Sequence, residues 1–155
     1  MKRYTLLLLI TLTAFCSACK KESKNVLLGK WIYKIPEASN PEQYNELNFD
    51  GTNNVTNTLY HIEPATGRLL GYSYKYVANY RLKSSTAVEL YNIKAYVKGE
   101  QVPYTDEDKL MLKTGNSPFE NYYYSIDQQR NELRWDYNCG PYAYCAGTLR
   151  VYTKK

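Results

Sequence analysis

Tyr72-Ser73-Tyr74-Lys75-Tyr76-Val77-Ala78-Asn79-Tyr80-Arg81-Leu82-Lys83 decides the fold class. Tyr72, Tyr74, Tyr76, Ala78, Tyr80 and Leu82 share one parity; Ser73, Lys75, Asn79, Arg81 and Lys83 share the other, and Val77 is the exception. Alternation with period two marks a strand that buries one face. Tyrosine suits such a strand, because its ring packs on the pleated surface while its hydroxyl keeps a polar handle. One-sided alternation also excludes a parallel sheet covered on both faces, whose strands read as continuous apolar runs.

The same rhythm extends in both directions. Trp31, Tyr33 and Ile35 alternate with Lys30 and Lys34. Leu47 and Phe49 lead into Asp50-Gly51, a hairpin-type turn, and Val55 to Ile62 follows it. Val88 and Leu90 are in phase, then Ile93, Ala95 and Val97 take over, which predicts a bulge near Tyr91 or Asn92. Leu110 and Leu112 form a short run inside the irregular stretch 100–118. Tyr122, Tyr124 and Ile126 precede a turn at Asp127 to Asn131, and Leu133, Trp135 and Tyr137 follow it. In the closing strand Leu149 and Val151 read as the apolar face, alternating with Arg150 and Tyr152. About eight or nine short strands with turns between them predict a single all-β antiparallel domain, a sandwich or a barrel.

Composition narrows the function. A chain of 155 residues is one domain by length. One His and 4 Cys argue against a multi-histidine metal centre and against His-dependent acyl transfer. The 20 Lys+Arg against 15 Asp+Glu form no basic stripe, so nucleic acid is not an expected partner.

The N-terminus reads as an address. Lys2 and Arg3 precede an apolar run from Leu6 to Phe15 that is too short to span a bilayer comfortably. Cys16, Ser17, Ala18 and Cys19 follow. This end resembles a bacterial lipoprotein signal, in which small residues lead into a cysteine that is lipidated and becomes residue one. Ala18 and Ser17 select Cys19, whereas bulky Phe15 disfavours Cys16, which itself stands where the family usually has Leu. The resemblance implies residues 1–18 as signal peptide, Cys19 as the lipidated residue and 19–26 as tether. With Lys20 after the cysteine and no Asp, it implies the bacterial outer membrane, with the leaflet left open. Plain secretion after cleavage at Ala18 is the alternative. Lys20, Lys21 and Lys24 can lie on anionic head groups or serve as a solvated spacer.

Cys139 and Cys145 are then an even pair in an oxidising compartment, flanking a Gly140-Pro141 turn, and are expected to form a disulfide. Two thiols without histidine partners are a weaker metal site.

At Leu27-Leu28-Gly29-Lys30-Trp31 the body resembles the opening of a lipocalin. Leu47-Asn48-Phe49-Asp50-Gly51-Thr52 and Gly147-Thr148-Leu149-Arg150-Val151-Tyr152 are similar to steps of small lipocalin-like bacterial lipoproteins. The resemblance implies an up-and-down β-barrel over 27–155, with Gly29 and Trp31 as the barrel-closing motif. It also implies a cation from the last strands on the Trp31 ring, supplied by Arg134 or Arg150. The expected interior departs from the family, because it is rich in Tyr rather than aliphatic residues.

Tyr72, Tyr74, Tyr76, Tyr80, Tyr122, Tyr124 and Trp135, with Tyr137 and Tyr144 beside them, are the candidate ligand-contacting residues. Aromatic faces with polar tips suit a sugar or a planar ligand; the other reading is core and cross-strand packing. His61 reads as a solvated loop residue without a catalytic partner. Asp106, Glu107 and Asp108 lack the spacing of a calcium loop and read as a solvated acidic loop. No nucleophile elbow, phosphate loop or zinc-hydrolase motif is present. The expectation is a non-enzymatic, membrane-anchored protein that needs no cofactor or metal and binds a small molecule, glycan or envelope component. The alternative is an interaction module for an envelope protein, an accessory subunit or inhibitor without a ligand cavity. Under non-reducing conditions Cys139 and Cys145 should resist a thiol reagent; mass-spectrometric detection of label on either would remove the disulfide.

Overall fold

The computed structural model describes residues 26–115, 119–138 and 149–155. Cys19, Cys139, Tyr144 and Cys145 lie outside the described residues. The strands are β1 (Gly29–Ser39), β2 (Glu42–Phe49), β3 (Asn54–Ile62), β4 (Leu69–Leu82), β5 (Ala87–Val97), β6 (Met111–Leu112), β7 (Phe119–Asp127), β8 (Glu132–Tyr137) and β9 (Arg150–Lys154). All nine pair antiparallel in one sheet.

Sequential neighbours pair around the chain, except that two-residue β6 and β7 both lie on β5. β7 takes the first half of β5, from Ala87 to Tyr91, and β6 takes its end at Tyr96 and Val97. β9 then pairs with β1 through Trp31–Lys154 and Ile32–Thr153, and the sheet closes in a barrel-like ring. The irregular stretch after β5 holds one 3-10 turn, Glu107–Lys109, before β6.

The bulge expected in β5 falls at Asn92. Val77 pairs with Lys94 but Asn79 pairs with Tyr91, and Asn92 has φ of 55°. The β2–β3 turn is fixed by Asp50, whose Oδ1 accepts from the backbone N–H of Thr52 at 2.8 Å and of Asn54 at 2.9 Å. The hydrogen bond from the Asn54 side chain, followed by these backbone bonds, holds its carboxyl down at about 2.

One end of the ring is solid. Leu27, Trp31, Leu47, Phe49, Val55, Tyr80, Val88, Leu90 and Leu133 are buried there. Phe49 sits at their centre, edge-on to Tyr80 at 5.1 Å and to Trp135 at 5.6 Å. Trp31 Nε1–H donates to the Leu27 carbonyl at 2.7 Å, so the indole is buried without an orphaned donor. The cation on its ring is Lys154, 5.1 Å from the centroid, not Arg134 or Arg150. The register explains this: Lys154 stands directly opposite Trp31, whereas Arg150 lies farther along β9 and covers Tyr33 at 6.0 Å. Gly29 beside them has φ of +113°, which favours glycine, and a Cβ there would meet the Lys154 side chain at 3.4 Å.

Two phase assignments are corrected. Tyr152, not Leu149 or Val151, is the inward residue of β9; Leu149 and Val151 are exposed. Both faces of that five-residue strand carry apolar groups, so alternation alone could not choose between them. Tyr72 leaves the parity of Tyr74 and Tyr76. Leu59 pairs with Tyr74 but Tyr60 pairs with Tyr72, so Ser73 is an extra residue that shifts the phase. Tyr72 therefore joins Tyr60 at 6.4 Å and Tyr44 beyond it, on the opposite face of the sheet from Tyr74.

Trp31→Ala should cost about 3–5 kcal/mol, the range for truncating a fully buried large aromatic, as read from the urea midpoint. A loss under about 1 kcal/mol would mean the closed end does not depend on it.

Candidate functional site

Toward the other end the ring is hollow. A cavity of about 420 Å³ is lined by Ile35, Asn45, Asn57, Leu59, Tyr74, Tyr76, Glu120, Tyr122, Trp135, Tyr137, Arg150 and Tyr152. That volume lies within the ordinary range of small-molecule sites.

Its polar anchor is a pair of asparagines. Asn45 on β2 and Asn57 on β3 sit diagonally, since Asn45 faces Leu59 and Asn57 faces Leu47. Asn57 Nδ2–H donates to Asn45 Oδ1 at 2.7 Å, and Asn45 Nδ2–H donates to Asn57 Oδ1 at 3.1 Å. The Tyr152 hydroxyl also donates to Asn45 Oδ1, at 2.5 Å. Each amide thus satisfies the other inside the ring, and the exchange uses one N–H of each side chain.

The walls are aromatic. Tyr122 stacks on Trp135 at 4.8 Å and 26°, and Tyr137 meets Tyr122 edge-on at 5.3 Å. Tyr74 and Tyr76 stand edge-to-face at 6.1 Å. The Tyr122 hydroxyl donates to Glu120 Oε2 at 2.6 Å. Burial pushes the phenols of Tyr76 and Tyr122 up, with the nearby groups Tyr152 and Tyr76 respectively as the next contributions. Burial likewise raises Tyr74, and lifts Tyr152 to about 12 although the Arg150 cation pulls it down. At neutral pH Tyr74, Tyr76, Tyr122 and Tyr152 therefore present phenols rather than phenolates, and the side chains of Glu120 and Arg150 line the same cavity.

Of the residues expected from sequence, Tyr74, Tyr76, Tyr122, Trp135 and Tyr137 come together here. Tyr80 and Tyr124 are buried in the core, and Tyr72 is on the other face. Asn45, Asn57, Glu120, Arg150 and Tyr152 were not anticipated. The asparagines did leave a signal: each occupies the apolar parity of its strand, before Leu47 and Phe49 and after Val55.

His61 is corrected as well. It is 5% exposed, in β3 opposite Gly71 rather than in a solvated loop. The chain after β5 makes this cover. Thr105 and Tyr72 exchange backbone hydrogen bonds at 2.7 and 2.8 Å, which brings the Tyr104 ring to 5.4 Å from the imidazole. Gly71 permits that approach, since a Cβ there would stand 2.7 Å from the Thr105 carbonyl oxygen. His61 Nε2 lies 3.0 Å from Ser73 Oγ, while buried Nδ1 has no hydrogen-bond partner among the described residues. A serine nucleophile needs its histidine oriented through that second nitrogen, and no described residue supplies that contact.

The chain matches no family model, no curated protein and no solved structure.

Burial, then the nearby Lys98 charge, lowers the His61 pKa from 6.5, so the folded protein favours the neutral ring. The unfolded chain binds the extra proton first. Stability is therefore fully present above 6.5 and declines as pH falls from there through the lowered folded value. Urea melts across that window should show the decline, and His61→Gln should flatten it; an equal slope in the variant would assign the pH dependence elsewhere.

Proposed function

We propose that this chain is a lipid-anchored bacterial outer-membrane lipoprotein with a lipocalin-like barrel, whose hollow binds a small hydroxyl-rich molecule with an apolar face, a sugar or glycan end. The observation that carries the ligand reading is the cavity of about 420 Å³ with the Asn45–Asn57–Tyr152 cluster at its inner wall. A ring built only for packing would fill that space with side chains, because interiors are close-packed. The amide pair and the Tyr152 hydroxyl hold one another in place, so polar groups that can hydrogen-bond a ligand stand pre-positioned on the wall of the hollow. The stacked Tyr122–Trp135 pair offers a flat apolar face, and Glu120 and Arg150 supply an acceptor and donors for hydroxyls. Nothing in this binding requires a cofactor, metal or catalytic group. The anchor reading is supported by the order Lys2-Arg3, apolar run, Ser17-Ala18-Cys19. Ring closure with Trp31 buried at one end supports the lipocalin-like reading.

The interaction-module reading keeps one observation in its favour. Met111, Leu112 and Phe119 are exposed apolar groups along β6 and the start of β7. Substitutions in the cavity separate the two readings. In a nuclear magnetic resonance screen of sugars and aromatic metabolites, a hit should shift the Trp135 indole signal and leave Trp31 in place. Asn57→Leu should weaken that ligand by about tenfold or more, the cost of a lost buried hydrogen bond. Hits that map to Met111 and Phe119, or survive Asn57→Leu unchanged, would overturn the cavity as the site.

A further inference from the structure

The solid end of the ring carries a second surface that ligand binding does not use. Val26 and Leu28 precede β1 there and stay 41% and 47% exposed. With Trp31, Ile126, Asn131 and Lys154 they border a recess of about 500 Å³. Among the described residues one cation, Lys154, borders the recess, and Lys30 and Lys155 stand on the outer wall near it. Lys154 lies over the Trp31 ring, and the Lys155 backbone N–H donates to the Lys30 carbonyl at 3.0 Å, which sets both terminal lysines beside Lys30. Lys30 shares its charge with Glu46 at 3.1 Å, and Arg130 of the adjacent β7–β8 turn shares its charge with Asp127 at 3.7 Å. No ion pair engages Lys154 or Lys155 among the described residues.

We propose that this end lies on an anionic lipid bilayer, with Val26 and Leu28 at the boundary of head groups and acyl chains and Lys30, Lys154 and Lys155 on the phosphates. The inference rests on the anchor at Cys19 read from the sequence. Exposed apolar side chains with lysines nearby are a composition that suits a membrane interface. Each lysine near an anionic surface adds to that attraction. The orientation follows from reach. Seven residue steps separate Cys19 from Val26, and a fully extended chain covers at most about 25 Å in that number. β1 has 11 residues. At about 3.3 Å per step, tilted roughly 40° as barrel strands are, its run from Gly29 to Ser39 raises the far rim about 25 Å above the start of the strand. Only a fully extended tether would let the mouth meet the lipid, so chain entropy favours the closed end there and the mouth, with Tyr74, Tyr137 and Arg150, toward the aqueous side. Ligand then arrives from solution and not from the acyl layer.

The test uses the full processed protein with its own anchor. It is inserted in nanodiscs of phosphatidylethanolamine and phosphatidylglycerol that carry a gadolinium-chelated head-group lipid. Paramagnetic broadening of backbone amides then reports distance from the bilayer surface. Residues 26–31 and 127–131 should broaden severalfold more than residues 63–68 and 99–106 at the mouth. Val26→Ser with Leu28→Ser should reduce that broadening while the spectrum keeps its dispersion. Stronger broadening at 63–68 and 99–106, or equal broadening at both ends, would overturn the orientation. Failure of the protein to stay with the nanodisc on gel filtration would instead remove the anchor, and this inference with it. Cavity binding would be untouched by either result.

Discussion

The pairing of β9 with β1 is the constraint on which the rest depends. It is a short seam, Trp31 opposite Lys154 and Ile32 opposite Thr153, but it joins the first and last strands of a meander. Without it the sheet would present two open edges, each a row of unpaired N–H and C=O groups. With it, every inward side chain faces other inward side chains across a cylinder. The seam also delivers three side chains at once: Trp31 to the closed end, Lys154 onto its ring, and Tyr152 to Asn45 across the interior.

Closure then turns side-chain volume into architecture. At one end Trp31, Phe49, Tyr80 and Leu133 fill the cross-section, and edge-to-face contacts lock the rings. Halfway along, the apolar parity yields to Asn45 and Asn57, and beyond them the side chains line the space rather than filling it. The amide pair marks the boundary because polar atoms are affordable only where they satisfy one another or meet something that enters. The two ends thus acquire different chemistry from one repeating strand pattern. One is apolar and basic at its rim; the other is aromatic and hydrogen-bonding.

Much of this was legible in the chain. The alternation of Trp31 to Ile35, of Tyr74 to Tyr80 and of Leu133 to Tyr137 gave the correct inward faces, and the phase switch after Leu90 gave the bulge at Asn92. Reading failed where the phase changes without a compositional trace. Ser73 looks like an ordinary outward residue, yet as the extra residue of β4 it moves Tyr72 to the other face. In β9 both parities are plausible until the partners are known. His61 follows the inward parity of Val55, Asn57 and Leu59, but its burial depends on Tyr104, more than forty residues later.

The sequence by itself determined the class of fold and the aromatic character of its interior. Period-two alternation is a local property, and it survives in any antiparallel arrangement that buries one face of each strand. The tertiary structure alone decided that the sheet closes, which end is solid, and which polar groups converge. Asn45 and Tyr152 are 107 positions apart, and Glu120 and Arg150 share a cavity only because β7 and β9 flank β8. Such meetings depend on register and ring closure, and a strand's own alternation carries no information about the distant strand it will face.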